Sequence, residues 1–147
     1  MEMVKDVPAY IREIYTHNPL FISDYFNISI DEIHCGGATI SMEIDPAVHF
    51  NHRGIIHGGV LEALADSTLG VTGASVGAIV STLNFSMNFI SNVKEACRIS
   101  ATAEIRHHGR TTMVIEVEVH GPNGKLLATI LTTMFINGRF EEIPAKW

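Results

Sequence analysis

The 147-residue sequence predicts an α+β fold in which a curved, mainly antiparallel sheet of six strands wraps around one long central helix. Six segments show the apolar alternation or clustering of strands, and turns rich in glycine and asparagine separate them. Gly58 to Thr72 instead spaces its apolar residues as one face of a long helix. Because helices do not alternate with the strands, we do not expect parallel βαβ units, and the helix should pack on the concave face of the sheet.

The chain begins with a predicted short helix followed by a hairpin. Pro8 suits a helix start, and Asn18-Pro19 should stop the helix. Residues 26–32 and 38–44 then alternate apolar with polar residues around a turn at 34–37, which predicts two antiparallel strands. The apolar residues at helical spacing in the first segment are Tyr10, Ile11, Ile14 and Tyr15.

The central helix should end at Gly70 and Gly73, and four strands should follow it at 80–89, 98–106, 112–120 and 126–136. The last three form a meander. No charged residue occurs from Ser67 to Val93, but glycines and asparagines interrupt this run, which indicates a buried strand rather than a membrane span. The helix has one broad apolar stripe, formed by Val60, Leu61, Leu64, Ala65, Thr68 and Leu69.

Composition restricts the class of protein. With 46% hydrophobic residues, residues 1–147 suit a single domain that includes the N-terminal helical segment 1–20. Acidic residues number 16 against 10 Lys and Arg, so nucleic acid is not an expected partner. Cys35 and Cys97 show no metal-binding spacing, and the histidines match no helical zinc pattern. The first residues show no basic segment followed by an apolar stretch, so secretion is not expected. We therefore expect a cytoplasmic protein without a metal.

The loop from Asn51 to Gly59, which contains His57-Gly58-Gly59, predicts an acyl-binding site. Its two adjacent glycines leave backbone N–H groups unshielded where the central helix begins. A helix start concentrates unpaired donors and partial positive charge, so it suits a carbonyl oxygen that gains negative charge in a transition state.

Asp66 is an acid beside the apolar residues Leu64, Ala65 and Leu69 of this helix, where partial desolvation should make it more basic than a surface Asp. Nine residues separate it from His57, which in a helix is about 13.5 Å of rise and roughly 900° of rotation. The two residues then project from opposite faces. If both are catalytic, Asp66 must act on a carbonyl held by Gly58 of a neighbouring chain, which requires a two-fold dimer.

These elements, with Asn51, Gly54, His57-Gly58-Gly59 and Leu64-Ala65-Asp66, resemble the hot-dog fold and, within it, the phenylacetate-degradation (PaaI-like) type of acyl-CoA thioesterase. The resemblance implies hydrolysis of an acyl-CoA thioester by a homodimer, often a dimer of dimers. It implies that the Gly58 N–H holds the oxyanion, that Asp66 is nucleophile or base, and that Asn51 positions the thioester or water. Thr82, with Ser81 beside it, should orient the water. The chain departs from the family pattern at residues 89–92, where Asn92 replaces a proline.

Other residues are predicted to bind the substrate. Gly54 and Gly59 shape the loop, and Arg110, Arg53 and Arg106 are candidates for the phosphates of coenzyme A, which is part of the substrate and not a cofactor. The acyl pocket should be apolar and near the subunit interface, with contributions from Phe50, Ile55, Ile56, Leu61 and Val80.

Alternative interpretations remain for the whole protein and for single residues. A hot-dog domain can bind acyl-CoA or another aromatic or fatty ligand without cleaving it, and hydration of enoyl-CoA on this fold would use a different Asp and His motif. His57 is either a base or a residue that caps or orders the loop. Asn51 is also a common turn former, and Thr82 is an ordinary strand residue.

Overall fold

The computed structural model describes residues 1–147 and contains one antiparallel sheet and four helices. The helices are α1 (Val7–Tyr15), α2 (Pro19–Ile22), α3 (Pro46–His49) and α4 (Gly58–Ala74), with a 3-10 turn at Pro122–Gly124. The strands are β1 (Ser29–His34), β2 (Gly37–Ile44), β3 (Ala78–Phe89), β4 (Cys97–His108), β5 (Thr112–His120) and β6 (Leu126–Arg139). Their order in the sheet is β1-β2-β4-β5-β6-β3, and every neighbouring pair is antiparallel. The predicted α+β class is confirmed.

The long helix α4 packs against the inner face of the sheet and contacts β2, β3, β4 and β5. All six residues of the predicted apolar stripe are buried, and burial extends to Val71 and Ala74. The helix ends where Gly77 takes a left-handed backbone conformation, with φ of +78°, that glycine adopts without strain. Ten of its 17 residues are buried, whereas Gly59, Glu62 and Asp66 are exposed. The apolar part of the helix is broad enough to require cover from more than the sheet.

The sheet has one buried face and one solvated face. Along β5 the residues Met113, Ile115, Val117 and Val119 point to α4 and are fully buried, while the intervening side chains face outward. The β1–β2 hairpin and the β4–β5–β6 meander are both confirmed. β3 lies at one edge of the sheet, paired on one side with β6.

The N-terminal residues cover part of α4. Val7 and Ile11 of α1 are buried, and Asp6 caps the helix by accepting the N–H of Ala9 at 3.0 Å. The helix ends before Asn18-Pro19 as predicted, but this pair also starts the short helix α2, which the sequence analysis did not predict. Asn18 caps α2, and the Phe21 side chain enters the core.

Several element boundaries differ from the prediction. β3 begins at Ala78 rather than at residue 80, and β6 continues to Arg139 rather than stopping at residue 136. These residues pair with each other at the end of the sheet, Ala78 with Arg139. No helix is long and apolar enough to cross a membrane.

Candidate functional site

The loop between α3 and α4 is closed by Asn51. Its Oδ1 accepts the N–H of Arg53 at 2.9 Å and that of Ile55 at 3.4 Å, and its own N–H donates to the Ile55 carbonyl at 2.8 Å. Gly54 completes the turn with φ of +74° and donates to the Asn51 carbonyl at 3.0 Å. Asn51 therefore serves as a turn former, whatever its side-chain amide does toward a substrate.

The start of α4 presents two consecutive unpaired backbone donors. His57 is the N-cap residue, but its exposed side chain makes no capping hydrogen bond, so the capping interpretation of this side chain is wrong. Its backbone N–H donates to the His49 carbonyl at 3.0 Å, which ties the loop to α3. The N–H groups of Gly58 and Gly59 precede the first possible intrahelical bond and have no acceptor in the chain.

Phe89, at the end of β3, covers the first of these glycines. A Cβ atom at position 58 would lie 3.0 Å from Cε1 of the Phe89 ring, whereas a Cβ at Gly59 would meet nothing within 4 Å. A glycine at position 58 therefore permits the Phe89 ring to lie close to the start of α4. The ring is itself 55% exposed, so it separates the helix start from solvent on one side only.

Asn92 fixes the backbone two residues before Gly58. Its Oδ1 accepts the N–H of Ile56 at 2.9 Å, and its Nδ2 donates to the Ile56 carbonyl at 3.4 Å. Lys125 in turn donates to the backbone carbonyl of Asn92 at 2.6 Å. The sequence analysis noted Asn92 only as a departure from a family pattern. Its role depends on a partner 36 residues away, which no local pattern indicates.

Asp66 lines two cavities, and Thr82 is the only other residue that lines both of them. The outer cavity, about 370 Å³, is also lined by Glu62, Ala63 and Phe85. Burial raises the pKa of the Asp66 carboxyl above its ordinary value of 3.8, as expected for an acid on an apolar helix. No Lys, Arg or His lines either cavity, so no cation offsets this desolvation.

The inner cavity, about 260 Å³, lies between α4, β3 and the N-terminal segment. Val80 lines it, as the sequence predicted for the acyl pocket. Its other walls come from residues that the sequence analysis did not assign to a site: Tyr15, Asn18, Leu20, Phe21, Ser67, Leu69, Gly70 and Met134.

The structure thus brings Asp66 together with Thr82, and Asn51 together with Gly54 in the loop that leads to His57 and Gly58. None of these last four residues lines a cavity with Asp66 in the same chain. This separation agrees with the helical geometry predicted for residues 57 and 66. The two groups lie along one continuous helix.

The remaining predicted substrate contacts are dispersed. Ile56 and Leu61 belong to the buried core, and Phe50 and Ile55 are half-buried. Ser81 accepts a hydrogen bond from Asn137 and does not line the cavities at Asp66. Among the candidate arginines, Arg53 and Arg110 are exposed in loops, and Arg106 pairs with Glu116 at 3.2 Å. Their assignment to the substrate stays a prediction.

A family model described as the thioesterase superfamily matches residues 53–128, which is more than half of the chain. The chain belongs to the thioesterase superfamily. The matched residues include the glycines at the start of α4, Asp66 and Thr82.

Individual relatives agree with this assignment. A 1,4-dihydroxy-2-naphthoyl-CoA hydrolase of Listeria monocytogenes is 30% identical over 78% of this thioesterase and 94% of its own length. The PaaI protein of Escherichia coli, from the phenylacetic acid degradation operon, superimposes with a TM-score of 0.83 at 22% identity and covers 90% of this chain and 94% of its own. A Streptococcus pneumoniae thioesterase structure with coenzyme A has a TM-score of 0.77 at 25% identity and covers 87% of this chain and 98% of its own. The predicted hot-dog fold and PaaI-like group are confirmed.

We predict that Asn92 stabilises the thioesterase by holding the Ile56 peptide. Asn92→Ala leaves the buried N–H and carbonyl of Ile56 without these partners, so the free energy of unfolding should fall by about 1–3 kcal/mol. Asn88→Ala is the matched control, because Asn88 is an exposed residue of β3, and it should change stability by less than about 0.5 kcal/mol. Urea unfolding of both variants measures the difference. Equal stability of the two would contradict the role of Asn92.

Proposed function

We propose that this thioesterase hydrolyses acyl-CoA esters at sites shared by two subunits, with Asp66 of one subunit acting on a carbonyl held by the Gly58 N–H of the other. The proposal rests on the separation of two functional groups along α4. The free donors lie at its first turn, whereas the partly desolvated Asp66 carboxylate lies about two turns later beside Thr82.

The enzyme class predicted from the sequence, an acyl-CoA thioesterase, is confirmed by the superfamily match and by the relative named as a CoA hydrolase. Two further relatives, from Streptococcus pneumoniae and Streptococcus mutans, have structures with coenzyme A and acetyl-CoA respectively. They support a coenzyme A ester as the substrate of this chain. The residue roles that follow are our proposal.

Hydrolysis requires stabilisation of the negative charge that develops on the thioester oxygen. The Gly58 N–H is unpaired, lies at the positive end of a 17-residue helix and is held on a loop fixed by Asn51 and Asn92. A preorganised donor of this kind is typically worth about 10²–10³ in rate. The adjacent Gly59 N–H is available as a second donor.

Asp66 provides the second requirement, activation of the attacking group. It either removes a proton from water or attacks the carbonyl directly to form an anhydride that water then cleaves. In both routes the C–S bond breaks, coenzyme A leaves as the thiol, and the acyl group leaves as the free acid. Thr82 lines both cavities with Asp66, which supports our proposal that its hydroxyl orients the water.

Gly58 and Asp66 of one chain are separated by eight residues of helix, about 12 Å of rise. This distance is too large for a single carbonyl group to contact both. A second subunit that turns its Gly58 toward Asp66 of the first removes the difficulty, and two-fold symmetry then creates two equivalent sites. The outer cavity beside Asp66 and Phe85 is where the partner's loop would enter.

The edge strand β3 supports pairing between subunits. It is 12 residues long, carries no charge or proline and leaves most of its side chains exposed. Its pairing with β6 shifts register at Ile79/Val80 and at Thr82/Asn84, but residues 84–89 pair without interruption. A long edge without charges or proline is open to pairing with another strand. We propose that two copies pair here. The outer face of β6 exposes Leu131 and Phe135, with 53% and 42% of their surface accessible, which favours association of two such dimers.

We predict that Asp66→Asn abolishes turnover while leaving affinity for acyl-CoA nearly unchanged, because the amide keeps the shape but neither accepts a proton nor attacks. Glu62→Gln is the matched control, since Glu62 is an acid one turn earlier on α4 in the same outer cavity. It should retain activity. Release of the coenzyme A thiol and equilibrium binding measure the two effects. Equal loss of turnover and binding in Asp66→Asn, or intact turnover, contradicts the proposal and favours the ligand-binding alternative.

We predict an acid limb in kcat/KM that reports Asp66. The active carboxylate is deprotonated and burial raises its pKa, so activity should fall with decreasing pH at values above the 3.8 of an ordinary Asp. The raised pKa in the folded state also means that the charged carboxylate disfavours folding at neutral pH, a cost that disappears as pH falls through that pKa. Asp66→Asn should therefore be at least as stable as the wild type near pH 7. An acid limb that is unchanged in Glu62→Gln but lies at the pH of an unperturbed Asp would contradict this assignment.

We predict that Gly58→Pro, which deletes the proposed donor, lowers kcat by about 10²–10³. Proline suits the first helical position, and the backbone of His57, with φ of −58° and ψ of 133°, already suits a residue before proline. Gly58→Ala is the control, because it places the same Cβ atom against Phe89 but retains the N–H. An equal loss in both variants would assign the effect to crowding.

The same variants test whether the sites are shared. A mixed dimer of Asp66→Asn and Gly58→Pro subunits contains one site with both residues intact only if each site draws on two chains. Co-expression with different affinity tags and purification of the mixed species should then restore about half of the wild-type activity. Absence of restoration in a stable mixed dimer contradicts the shared site.

A further inference from the structure

The inner cavity at Asp66 is closed by the N-terminal segment of the chain. Asp66 and Thr82 stand at its junction with the outer cavity, while Tyr15 and Phe21 lie among the residues that bound it beyond α4. A thioester that reacts at Asp66 and extends its coenzyme A arm toward the outer cavity directs its acyl group into the inner one. This inference rests on the function proposed above.

Tyr15 is fixed against α4 by two independent contacts. Its hydroxyl donates to the Gly70 carbonyl at 3.0 Å, and a Cβ atom at position 70 would lie 2.9 Å from Cε1 of its ring. Only a glycine allows this approach. Because Gly70 follows Asp66 by four residues, it lies on the same helix face about 6 Å away, and the ring therefore stands about one turn from the carboxylate.

The segment that carries Tyr15 is part of the folded core. Val7 and Ile11 anchor α1 with 2% and 0% of their surface exposed, and Arg12 donates to the backbone carbonyl of Asp31 at 3.2 Å. Phe21, at the other end of the segment, is 4% exposed. The wall of the cavity is consequently fixed in place rather than being a loose flap.

The lining of the cavity indicates the chemistry of its occupant. Leu20, Leu69, Val80 and Met134 provide apolar surface, and the titratable groups that face the cavity are Asp66 and Tyr15. No cation is present to receive a second carboxylate, which would also be repelled by Asp66. An uncharged acyl group is therefore favoured over a dicarboxylic one.

We propose that residues 15–21 form the end of the acyl pocket and that Tyr15 and Phe21 restrict the substrate to compact, uncharged acyl groups. At the share of roughly 30 Å³ that a water-sized group occupies, the cavity of about 260 Å³ holds about eight or nine non-hydrogen atoms. This size corresponds to a straight chain of about six to eight carbons or to one aromatic ring. A longer chain that enters beside Asp66 meets Tyr15 and Phe21 among the residues that bound the cavity.

The test is kcat/KM on a series of straight-chain acyl-CoA esters from butanoyl to hexadecanoyl, with benzoyl-CoA and a dicarboxylic acyl-CoA. Wild type should favour the medium chains and benzoyl-CoA. Tyr15→Ala should raise the ratio of dodecanoyl to octanoyl activity by about tenfold or more, because a few methylenes in an apolar pocket discriminate at this level. Tyr15→Phe keeps the ring and should keep the preference.

Further variants distinguish a wall from a merely stabilising residue. Tyr10→Ala is the control, since Tyr10 is an aromatic residue of the same helix that packs on the core but does not line the cavity, and it should leave the chain-length profile unchanged. Tyr15→Trp should shift the preference toward shorter chains. Phe21→Ala should shift it toward longer ones. A uniform fall for all esters in the Tyr15 and Phe21 variants overturns the proposal.

Binding separates this inference from the proposed function. If the wild type hydrolyses no ester, the proposed function fails, but calorimetric titration of the same esters into Asp66→Asn still reports the size limit. The proposal is supported if the affinity of Asp66→Asn falls for chains longer than medium length. The double variant Asp66→Asn, Tyr15→Ala should then bind dodecanoyl-CoA more tightly than Asp66→Asn does. Affinity that is independent of residue 15 contradicts the proposal.

Discussion

The burial of one broad face of α4 is the constraint on which the rest of this structure depends. An apolar helix of 17 residues cannot be covered by one face of a sheet, so the sheet curves around it and the N-terminal helices complete the cover. The cover is incomplete beside Asp66, where both cavities open. The raised pKa of the Asp66 carboxyl and the space beside it therefore have a common origin in how this helix is enclosed.

Two glycines on α4 allow the residues that pack on this helix to approach it closely. Tyr15 rests on Gly70, and a Cβ at Gly73 would lie 2.9 Å from the Val80 side chain. The helix is consequently in close contact with α1 on one side and with β3 on the other. Glycine in a helix interior costs about 1 kcal/mol relative to alanine, so the close packing offsets a real penalty. The sequence analysis interpreted these glycines as a helix end, yet the helix continues to Ala74.

Local periodicity was sufficient to predict the class, the six strands, the meander and the long helix, because each depends on residues close in sequence. The ends of elements were less accurate. β3 starts at Ala78 because that residue pairs with Arg139, and this pairing joins residues distant in sequence. Asn18-Pro19 was expected only as a helix stop, although Asn before proline is equally a helix start, and α2 uses it so. The short helix α3 gave no periodic signal.

The candidate site was predictable to the extent that it lies on one segment. The glycine loop and Asp66 are close in sequence and carry chemically distinctive residues, so their spacing along a helix could be interpreted. Asn92 and Tyr15 were missed because their partners, Ile56 and Gly70, lie 36 and 55 residues away. Hydrophobicity alone also did not separate pocket from core, since Ile56 and Leu61 were assigned to the acyl pocket and are fully buried core residues.

The two parts of the candidate site differ in their sensitivity to amino-acid substitution. The donors at the start of α4 belong to the main chain, which every residue except proline supplies, so side chains around Gly59 can vary during evolution without removing a hydrogen bond to the ligand. The carboxylate has no such protection, because one codon change to asparagine removes it and leaves the fold intact. If Asp66 acts as proposed, one substitution separates a catalyst from a ligand carrier on this fold, and the reverse substitution is as short.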